Sequence, residues 1–160
     1  MIPELGQIAL LLALATALIQ GTLPLLGAAR GRADWMSLAR PAAQTQFLLV
    51  ALAFGCLVSS FVRHDFSVLN VATNSNSALP LFYRVAASWG SHEGSLLLWV
   101  LMLSTWTLAV ALRSRHLPMP VVSRILAVMG LISVGFLLFM LITSNPFQRL
   151  FPVPPDGNDL

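Results

Sequence analysis

Four long apolar stretches constrain this chain more than any other feature of its sequence. They occupy residues 8–26, 45–62, 95–112 and 125–143, and each is close to the roughly 20 residues that an α-helix needs to cross about 30 Å of hydrocarbon. Of the 160 residues, 57% are hydrophobic and only 9% are charged, which is more apolar surface than a soluble domain of this length can bury. The sequence therefore predicts an all-α integral membrane bundle with four transmembrane helices, forming one module over residues 1–160.

The arginines orient the predicted bundle. All nine basic residues are arginines, and six of them fall in two connections, one between the first and second spans and one between the third and fourth. Because cytoplasmic loops carry an excess of basic residues, both connections are predicted to be cytoplasmic. Both termini, the loop 63–94 and the tail 144–160 are then periplasmic, in a bacterial-type inner membrane. The six arginines are Arg30, Arg32, Arg40, Arg113, Arg115 and Arg124.

Acidic residues follow the opposite distribution and support the same topology. Only Asp34 lies in a predicted cytoplasmic connection. The basic balance of the chain follows from this topology and does not indicate nucleic-acid binding, because the arginines are few and divided between loops. The acids predicted to lie outside are Glu4, Asp65, Glu93, Asp156 and Asp159.

Small residues recur at four-residue steps in the first two spans. The first span carries Ala13, Ala17 and Gly21, and the second carries Ala51, Gly55 and Ser59. Such stripes let helices approach closely in lipid, so the two spans are predicted to pack as a hairpin. The alternative is that alanine-rich spans produce this spacing by chance.

The loop 63–94 and the tail contain no further span. A polar run at 73–77 precedes an apolar segment at 79–87 that is too short to cross the membrane. This segment is predicted to lie along the outer interface, beginning at Pro80 and placing Tyr83 at headgroup depth. The Pro-rich residues 151–157 predict an extended outer tail.

The most unusual segment is WGSHEGSLLLW, at residues 89–99. If a helix continues from Trp89, then Glu93, Trp99 and Trp106 follow at steps of three or four through intervening leucines, on one stripe. A flat aromatic face of this kind suits a large planar hydrophobic ligand or a partner helix. The alternative is an interfacial tryptophan followed by core tryptophans, with the acid exposed.

Histidine and arginine near this segment have both a functional and a structural interpretation. His92 has the chemistry to bind haem iron, but no second histidine stands at helical spacing from it, and interfacial packing is favoured. Arg84 has the charge to pair with an anionic group such as a propionate, but snorkelling to the surface is favoured. His64 and His116 are predicted to be solvated. No catalytic residue or metal ligand is assigned, because phosphate loops, zinc motifs and nucleophile elbows are missing from the sequence.

Three segments taken together closely resemble the amino-terminal part of the CcmF/NrfE family, the haem lyase subunits of cytochrome c-type biogenesis. The opening MIPELG and the segment TSNPF at 143–147 are also similar, so that the resemblance covers essentially the whole chain. The three segments are NSNSALPLFYR at 74–84, WGSHEGSLLLW at 89–99 and VMGLISVGFLL at 128–138.

The resemblance implies an inner-membrane protein that accepts haem from a CcmE-like haem chaperone and helps to attach it to apocytochrome c on the periplasmic side. It also implies CcmH-like and CcmI-like partner subunits. Family members are several times longer and carry a tryptophan-rich motif with haem-ligand histidines that this chain lacks. Haem b is therefore expected in the complete protein or complex, and no cofactor is expected for this chain alone. The expected haem-proximal or partner-docking face consists of Trp89, His92, Glu93, Trp99 and Arg84.

Two classes of function remain open. In the first, the chain contributes to haem delivery and covalent attachment, and needs the carboxy-terminal CcmF part, either as a fragment or as one piece of a split protein. In the second, it is a non-catalytic structural or docking subunit of a membrane assembly complex. An ion-translocating subunit is disfavoured, because only Glu93 lies near membrane depth and a proton path needs a chain of ionisable groups.

Overall fold

Four long helices form the bundle in the computed structural model, which describes residues 1–158. All four are long and apolar enough to cross a membrane, which confirms the predicted all-α membrane bundle. Within the described residues the only β pairing is an isolated bridge between Val68 and Arg149. In chain order the helices are α1 (Ile2–Arg30), α2 (Ala33–Met36), α3 (Ala39–Val62), α4 (Leu69–Asn74), α5 (Leu81–Gly90), α6 (His92–Arg113) and α7 (Met119–Thr143), with a single 3₁₀ turn at Ser114–His116.

The long helices extend beyond the four predicted spans. Helix α1 begins at Ile2, with Pro3 in its first turn, where a proline costs no hydrogen bond. It ends where Gly31 takes the left-handed conformation, at φ 67°, and its N–H bonds to the carbonyl of Gly27. The sequence prediction counted only apolar residues, whereas the helical hydrogen bonds continue through the polar residues at each end.

Helix α1 lies at the centre of the packing, between α3 on one side and α7 on the other. The predicted α1–α3 hairpin is confirmed, and the α1 stripe of Ala13, Ala17 and Gly21 is buried. Gly21, however, faces α7: a Cβ atom there would lie 2.8 Å from Leu131 Cδ2.

The predicted small-residue stripe on α3 is wrong. Gly55 is exposed, and a Cβ atom at this position would meet nothing within 4 Å. The buried face of α3 instead carries larger apolar residues, including Val50, Leu57 and Phe61, all fully buried. These branched and aromatic side chains pack between the helices together with Ala53, which is also fully buried, whereas Gly55 lies on another face.

Contacts at the two ends of the bundle agree with the predicted pairing of the loops. Arg40, in the first arginine-rich connection, donates from Nη2 to the carbonyl of Ser114, in the second, at 3.1 Å. At the opposite end, which we call the outer end, Arg149 forms an ion pair with Glu4. The two arginine-rich connections therefore share one end of the bundle, while the direction of the bundle across the membrane stays a prediction.

The carboxy-terminal segment folds back on the loop between α3 and α5. Leu69 N donates to Gln148 O at 2.8 Å, and Leu150 N donates to Ser67 O at 2.9 Å. Further along, the Asp156 carboxylate accepts hydrogen bonds from the backbone N–H and the hydroxyl of Ser77, which lowers the pKa of Asp156 below its usual value. The tail is thus held by specific contacts as far as the described residues extend, and Asp159 lies outside them.

Candidate functional site

The tryptophan-bounded segment is not one continuous helix. Helix α5 ends at Gly90 and α6 begins at His92, with Ser91 between them in an extended conformation (φ −78°, ψ 160°). The hydroxyl of Ser91 accepts a hydrogen bond from Gly94 N at 3.0 Å, which is the N-cap that serine commonly forms. The prediction that Trp89 shares a helix with Glu93 and Trp99 is therefore wrong.

The junction between α5 and α6 is tight at one glycine and open at another. A Cβ atom on Gly94 would lie 1.8 Å from the backbone carbonyl oxygen of Ser88, a distance that no side chain can tolerate. A Cβ atom on Gly90 would meet nothing within 4 Å. Gly94 therefore allows the start of α6 to pack directly against the last turn of α5.

The rest of the predicted aromatic stripe is present on α6 and faces away from the bundle. Trp99 is 60% exposed and Trp106 is 70% exposed, with Met102 between them at 48%. The alternative that these indoles belong to the core of this bundle is therefore wrong. Trp89, 41% exposed, lies on the other side of the Ser91 break. We call Trp99, Met102 and Trp106 the aromatic face of α6.

The polar members of the segment lie at the start of α6. His92 is exposed and Glu93 is half-buried. Among the described residues, neither side chain takes part in an ion pair. Both are therefore available to a ligand or partner at the outer end.

An apolar groove runs beside the aromatic face, between α6 and α7. Its α6 side is Leu96, one turn before Trp99, and its α7 side is formed by Ile132, Gly135, Phe136 and Phe139. A Cβ atom on Gly135 would meet nothing within 4 Å, so the lack of a side chain there leaves the groove open. Groove and aromatic face together make an apolar surface on one side of the bundle.

Arg84 and His64 contact each other at the outer end of α3. Arg84 Nη1 donates to the carbonyl of Val62 at 2.8 Å and lies 2.7 Å from His64 Nε2. The predicted solvated His64 is wrong, because its side chain is half-buried against Arg84. Arg84 is half-buried as well, and its snorkelling to the membrane surface stays a prediction. Sequence periodicity could not find a contact between positions so far apart. His116 is exposed, as predicted.

Two buried glutamines were missed by the sequence interpretation. Gln20 in α1 is fully buried and donates from Nε2 to Leu126 O in α7 at 2.7 Å. Gln46 in α3 is 1% exposed, and neither atom of its amide has a partner within the described residues. Their position inside apolar spans was the available signal, since polar groups at membrane depth are costly without a purpose.

The described residues do not fit a haem site by themselves. His64 Nε2 faces Arg84, and its Nδ1 is buried. His116 lies at the arginine-rich end, in the same 3₁₀ turn as Ser114, whose carbonyl accepts the hydrogen bond from Arg40. His92 remains as the one exposed imidazole at the outer end among residues 1–158, whereas a haem held by two axial side chains needs a second ligand.

The fold and this surface define a class: a multi-span α-helical membrane protein with an exposed aromatic face and a polar helix start at one end. Residues 89–160 match the family described as Cytochrome C assembly protein. The chain is 64% identical over its whole length to the cytochrome c-type biogenesis protein CcmF of Pseudomonas aeruginosa. It is 55% identical to CcmF of Escherichia coli and 42% identical to NrfE of Haemophilus influenzae.

A solved structure named Cytochrome c Heme Lyase CcmF has the same fold, with a TM-score of 0.88 at 33% identity over 94% of this chain. The present chain belongs to the CcmF/NrfE family and corresponds to its amino-terminal part. It spans about a quarter of the length of these relatives, with 24% of the P. aeruginosa protein and 25% of the solved chain covered.

Proposed function

We propose that this chain is the amino-terminal module of a cytochrome c maturation protein. In this role it contributes to haem delivery and to covalent attachment of haem to apocytochrome c, and is incomplete without the carboxy-terminal part of the family. The observation that carries the proposal is the aromatic face of α6, with Trp99 60% and Trp106 70% exposed. This face lies within residues 89–160, the segment that matches the Cytochrome C assembly family.

The aromatic face supplies an apolar wall and no chemistry of its own. Two indoles a little under two helical turns apart, with Met102 between them, form a flat surface suited to a planar ring system or to a helix. The residues that the structure describes do not complete a haem site, so in this proposal the reactive part of a lyase comes from elsewhere. In this proposal, Trp89, His92, Glu93 and Trp99 border the site that the carboxy-terminal part completes, and Arg84 lies beside it, tied to α3.

The proposal includes a location and a set of partners. The chain would lie in the bacterial inner membrane with both termini periplasmic, which places the Ser91 junction on the side where apocytochrome c is exported and the aromatic face within the membrane below it. Expected partners are a CcmE-like haem chaperone, CcmH-like or CcmI-like subunits, apocytochrome c and the carboxy-terminal CcmF part.

Complementation tests this function directly. The chain is co-expressed with the carboxy-terminal remainder of a close relative in a strain that lacks the relative's gene, and covalent haem on a reporter cytochrome c is measured. Restored maturation is expected, and double replacement of Trp99 and Trp106 by alanine should reduce it strongly. The matched control is Leu48→Ala, which removes a side chain 65% exposed on α3. Stable expression of both pieces without any maturation would contradict the proposal.

Haem content gives an independent measurement. Absorption and pyridine haemochrome spectra of the purified chain, alone and with the carboxy-terminal part, should show haem in the pair and none in the chain alone. Haem on the chain alone that disappears with His92→Ala would instead make His92 a ligand.

The docking alternative is favoured by a different observation, the lack of a complete ligand set among the described residues. Replacing Trp89, Glu93 and Trp99 together separates the two functions. Loss of maturation with partner association unchanged supports a site role, whereas loss of association supports a docking subunit.

A further inference from the structure

We propose that Arg84 and His64 form a site for the phosphate of an anionic phospholipid at the outer end of α3. The proposal goes beyond cytochrome c maturation and does not depend on it. It rests on the hydrogen-bonding atoms that these two side chains leave without a partner.

The contact between the two side chains determines which nitrogen of His64 carries a proton. The guanidinium of Arg84 is always a donor, and its Nη1 lies 2.7 Å from His64 Nε2. Nε2 must therefore accept, so the imidazole is neutral with its hydrogen on Nδ1. That Nδ1 is buried and has no partner, which makes it an unsatisfied donor.

Arg84 has an unsatisfied donor of its own. Its Nε is also buried without a partner, although Nη1 is used twice. A buried donor left unpaired costs a substantial part of its desolvation energy, so each of these two donors calls for an oxygen acceptor. Both unsatisfied atoms are donors, which indicates an anion rather than a cation.

No carboxylate among the described residues neutralises Arg84. Asp65 is adjacent to His64 in sequence, and Asp156 has His64 in its electrostatic surroundings. Both carboxylates already have other hydrogen-bonding or charged partners. Asp65 accepts from Ser67 and lies 3.8 Å from Arg149, and Asp156 is bonded to Ser77. The carbonyl of Val62 contributes only a partial charge, so the half-buried guanidinium retains most of its positive charge.

The surroundings of the site favour a lipid as the source of the anion. Arg84 lies in α5, whose first turn exposes three apolar or aromatic side chains: Leu81 at 54%, Phe82 at 78% and Tyr83 at 60%. In a membrane protein, a short helix with such a face lies at the boundary of headgroups and acyl chains. A phosphate bound by Arg84 would then place its acyl chains along Leu81 and Phe82, and charge-assisted bonds to phosphate are among the strongest that arginine makes.

The backbone of His64 has an unusual conformation, which is consistent with a role for this residue in the site. His64 has φ 56°, in the left-handed region that few residues other than glycine and asparagine adopt. The chain turns there directly after α3, and this turn points the imidazole toward Arg84. Asparagine tolerates the same backbone, so His64→Asn removes the imidazole without strain.

Lipid binding by the purified chain tests the proposal. The protein in detergent is titrated with phosphatidylglycerol and, separately, with zwitterionic phosphatidylethanolamine, and binding is followed by native mass spectrometry. Phosphatidylglycerol should bind in preference, and Arg84→Gln should weaken this binding by at least about tenfold. The matched control is Arg63→Gln, which removes the same charge from an exposed position at the same end and should change binding by less than about twofold.

Further arms keep the test decisive. His64→Asn should also weaken phosphatidylglycerol binding, and circular dichroism confirms that each variant is folded. Inorganic phosphate, added to lipid-free protein and observed by phosphorus NMR, distinguishes a free anion from a headgroup. Arg84-dependent binding of inorganic phosphate without any phosphatidylglycerol binding would overturn the lipid assignment. Equal phosphatidylglycerol binding by the native chain and Arg84→Gln would overturn the site itself.

Discussion

The side-chain amide of Gln20 donates a hydrogen bond to the backbone carbonyl of Leu126 at 2.7 Å, joining α1 to α7 inside the bundle. Gln20 has no exposed surface, and its Oε1 has no partner among the described residues. The residue therefore gains one bond between helices and leaves one acceptor unsatisfied. In lipid, where apolar contacts alone do not distinguish one helix from another, such a bond helps to select the partner.

Replacing Gln20 should therefore change the stability of the bundle by an amount that depends on the charge of the new side chain. Gln20→Met keeps the volume and removes both the bond and the unsatisfied oxygen, so its cost should be at most about 1 kcal/mol of unfolding free energy. Gln20→Glu places a carboxyl group in the same buried position and should cost several kcal/mol if it ionises. Unfolding in mixed detergent measures both variants. Equal stability of the two would show that this position is hydrated.

Gly130 should tolerate alanine poorly, while Gly135, on the same helix, should tolerate it well. A Cβ atom on Gly130 would lie 3.0 Å from Gly21 N and 3.1 Å from Gln20 Cγ, whereas one on Gly135 would meet nothing within 4 Å. Separating α1 from α7 should cost Gly130→Ala about 1–3 kcal/mol. Thermal unfolding followed by circular dichroism compares the pair. If both variants unfold at the same temperature as the unsubstituted chain, the close approach of α1 and α7 is contradicted.

Gly94→Ala should disrupt the junction that positions the start of α6. The new Cβ would lie 1.8 Å from the Ser88 carbonyl oxygen, so α5 and α6 would have to separate. We expect lower thermal stability and, in the complementation experiment, reduced cytochrome c maturation. Gly90→Ala, four positions earlier with open space around it, is the control and should leave both unchanged. Loss of maturation in the Gly90→Ala control as well would show that the segment 89–99 is sensitive to any substitution.

The hydroxyl of Ser77 should contribute to the acidity of Asp156. Its hydrogen bond is the main cause of the lowered pKa of that carboxyl, ahead of the backbone N–H bonds from Ser77 and Gly157. Ser77→Ala should raise the pKa of Asp156 toward its ordinary value of 3.8, and carbon NMR of the carboxyl group measures the change. Ser95→Ala, whose hydroxyl bonds to His92 O instead, is the control and should have no effect.

The sign of the pH effect follows from the direction of the shift. Because the folded chain lowers the pKa of Asp156, the tail contact stabilises the protein above the pKa of the unfolded chain. The contact should be lost as pH falls through the lowered value. The protection factor of the Ser77 amide, its exchange rate relative to that of the unfolded chain at the same pH, should therefore fall at acid pH in the native chain. A protection factor that does not change with acid would contradict the contact.

The four long helices and the α1–α3 hairpin could be predicted from the sequence. A helix needs a minimum number of apolar residues to cross lipid, and small residues allow two helices to pack closely. The α3 stripe was wrong because spacing identifies a face without saying which neighbour it meets, and Gly55 is left on an open face. Hydropathy gave the spans but not the helix ends, since backbone hydrogen bonds continue past the last apolar residue.

The sequence contains a recognisable signal for the break at Ser91. Serine followed by an acid at the second helical position is a common start of a helix, and Glu93 occupies that position here. The pairing of Arg84 with His64 had no such signal, because it joins residues twenty positions apart through a turn with positive φ. Local periodicity carries no information about contacts of this kind.

The close approach of Gly21 to Gly130 also has a consequence for how the chain is made. Gly130 follows about a hundred residues after Gly21, and at roughly 5–20 residues per second the ribosome needs about 5–20 seconds to reach it. During that time α1 lies in the membrane with the surface for α7 open to lipid. Biogenesis therefore includes an interval in which a foreign helix with small residues competes with α7 for this surface, and insertion of α7 ends the competition.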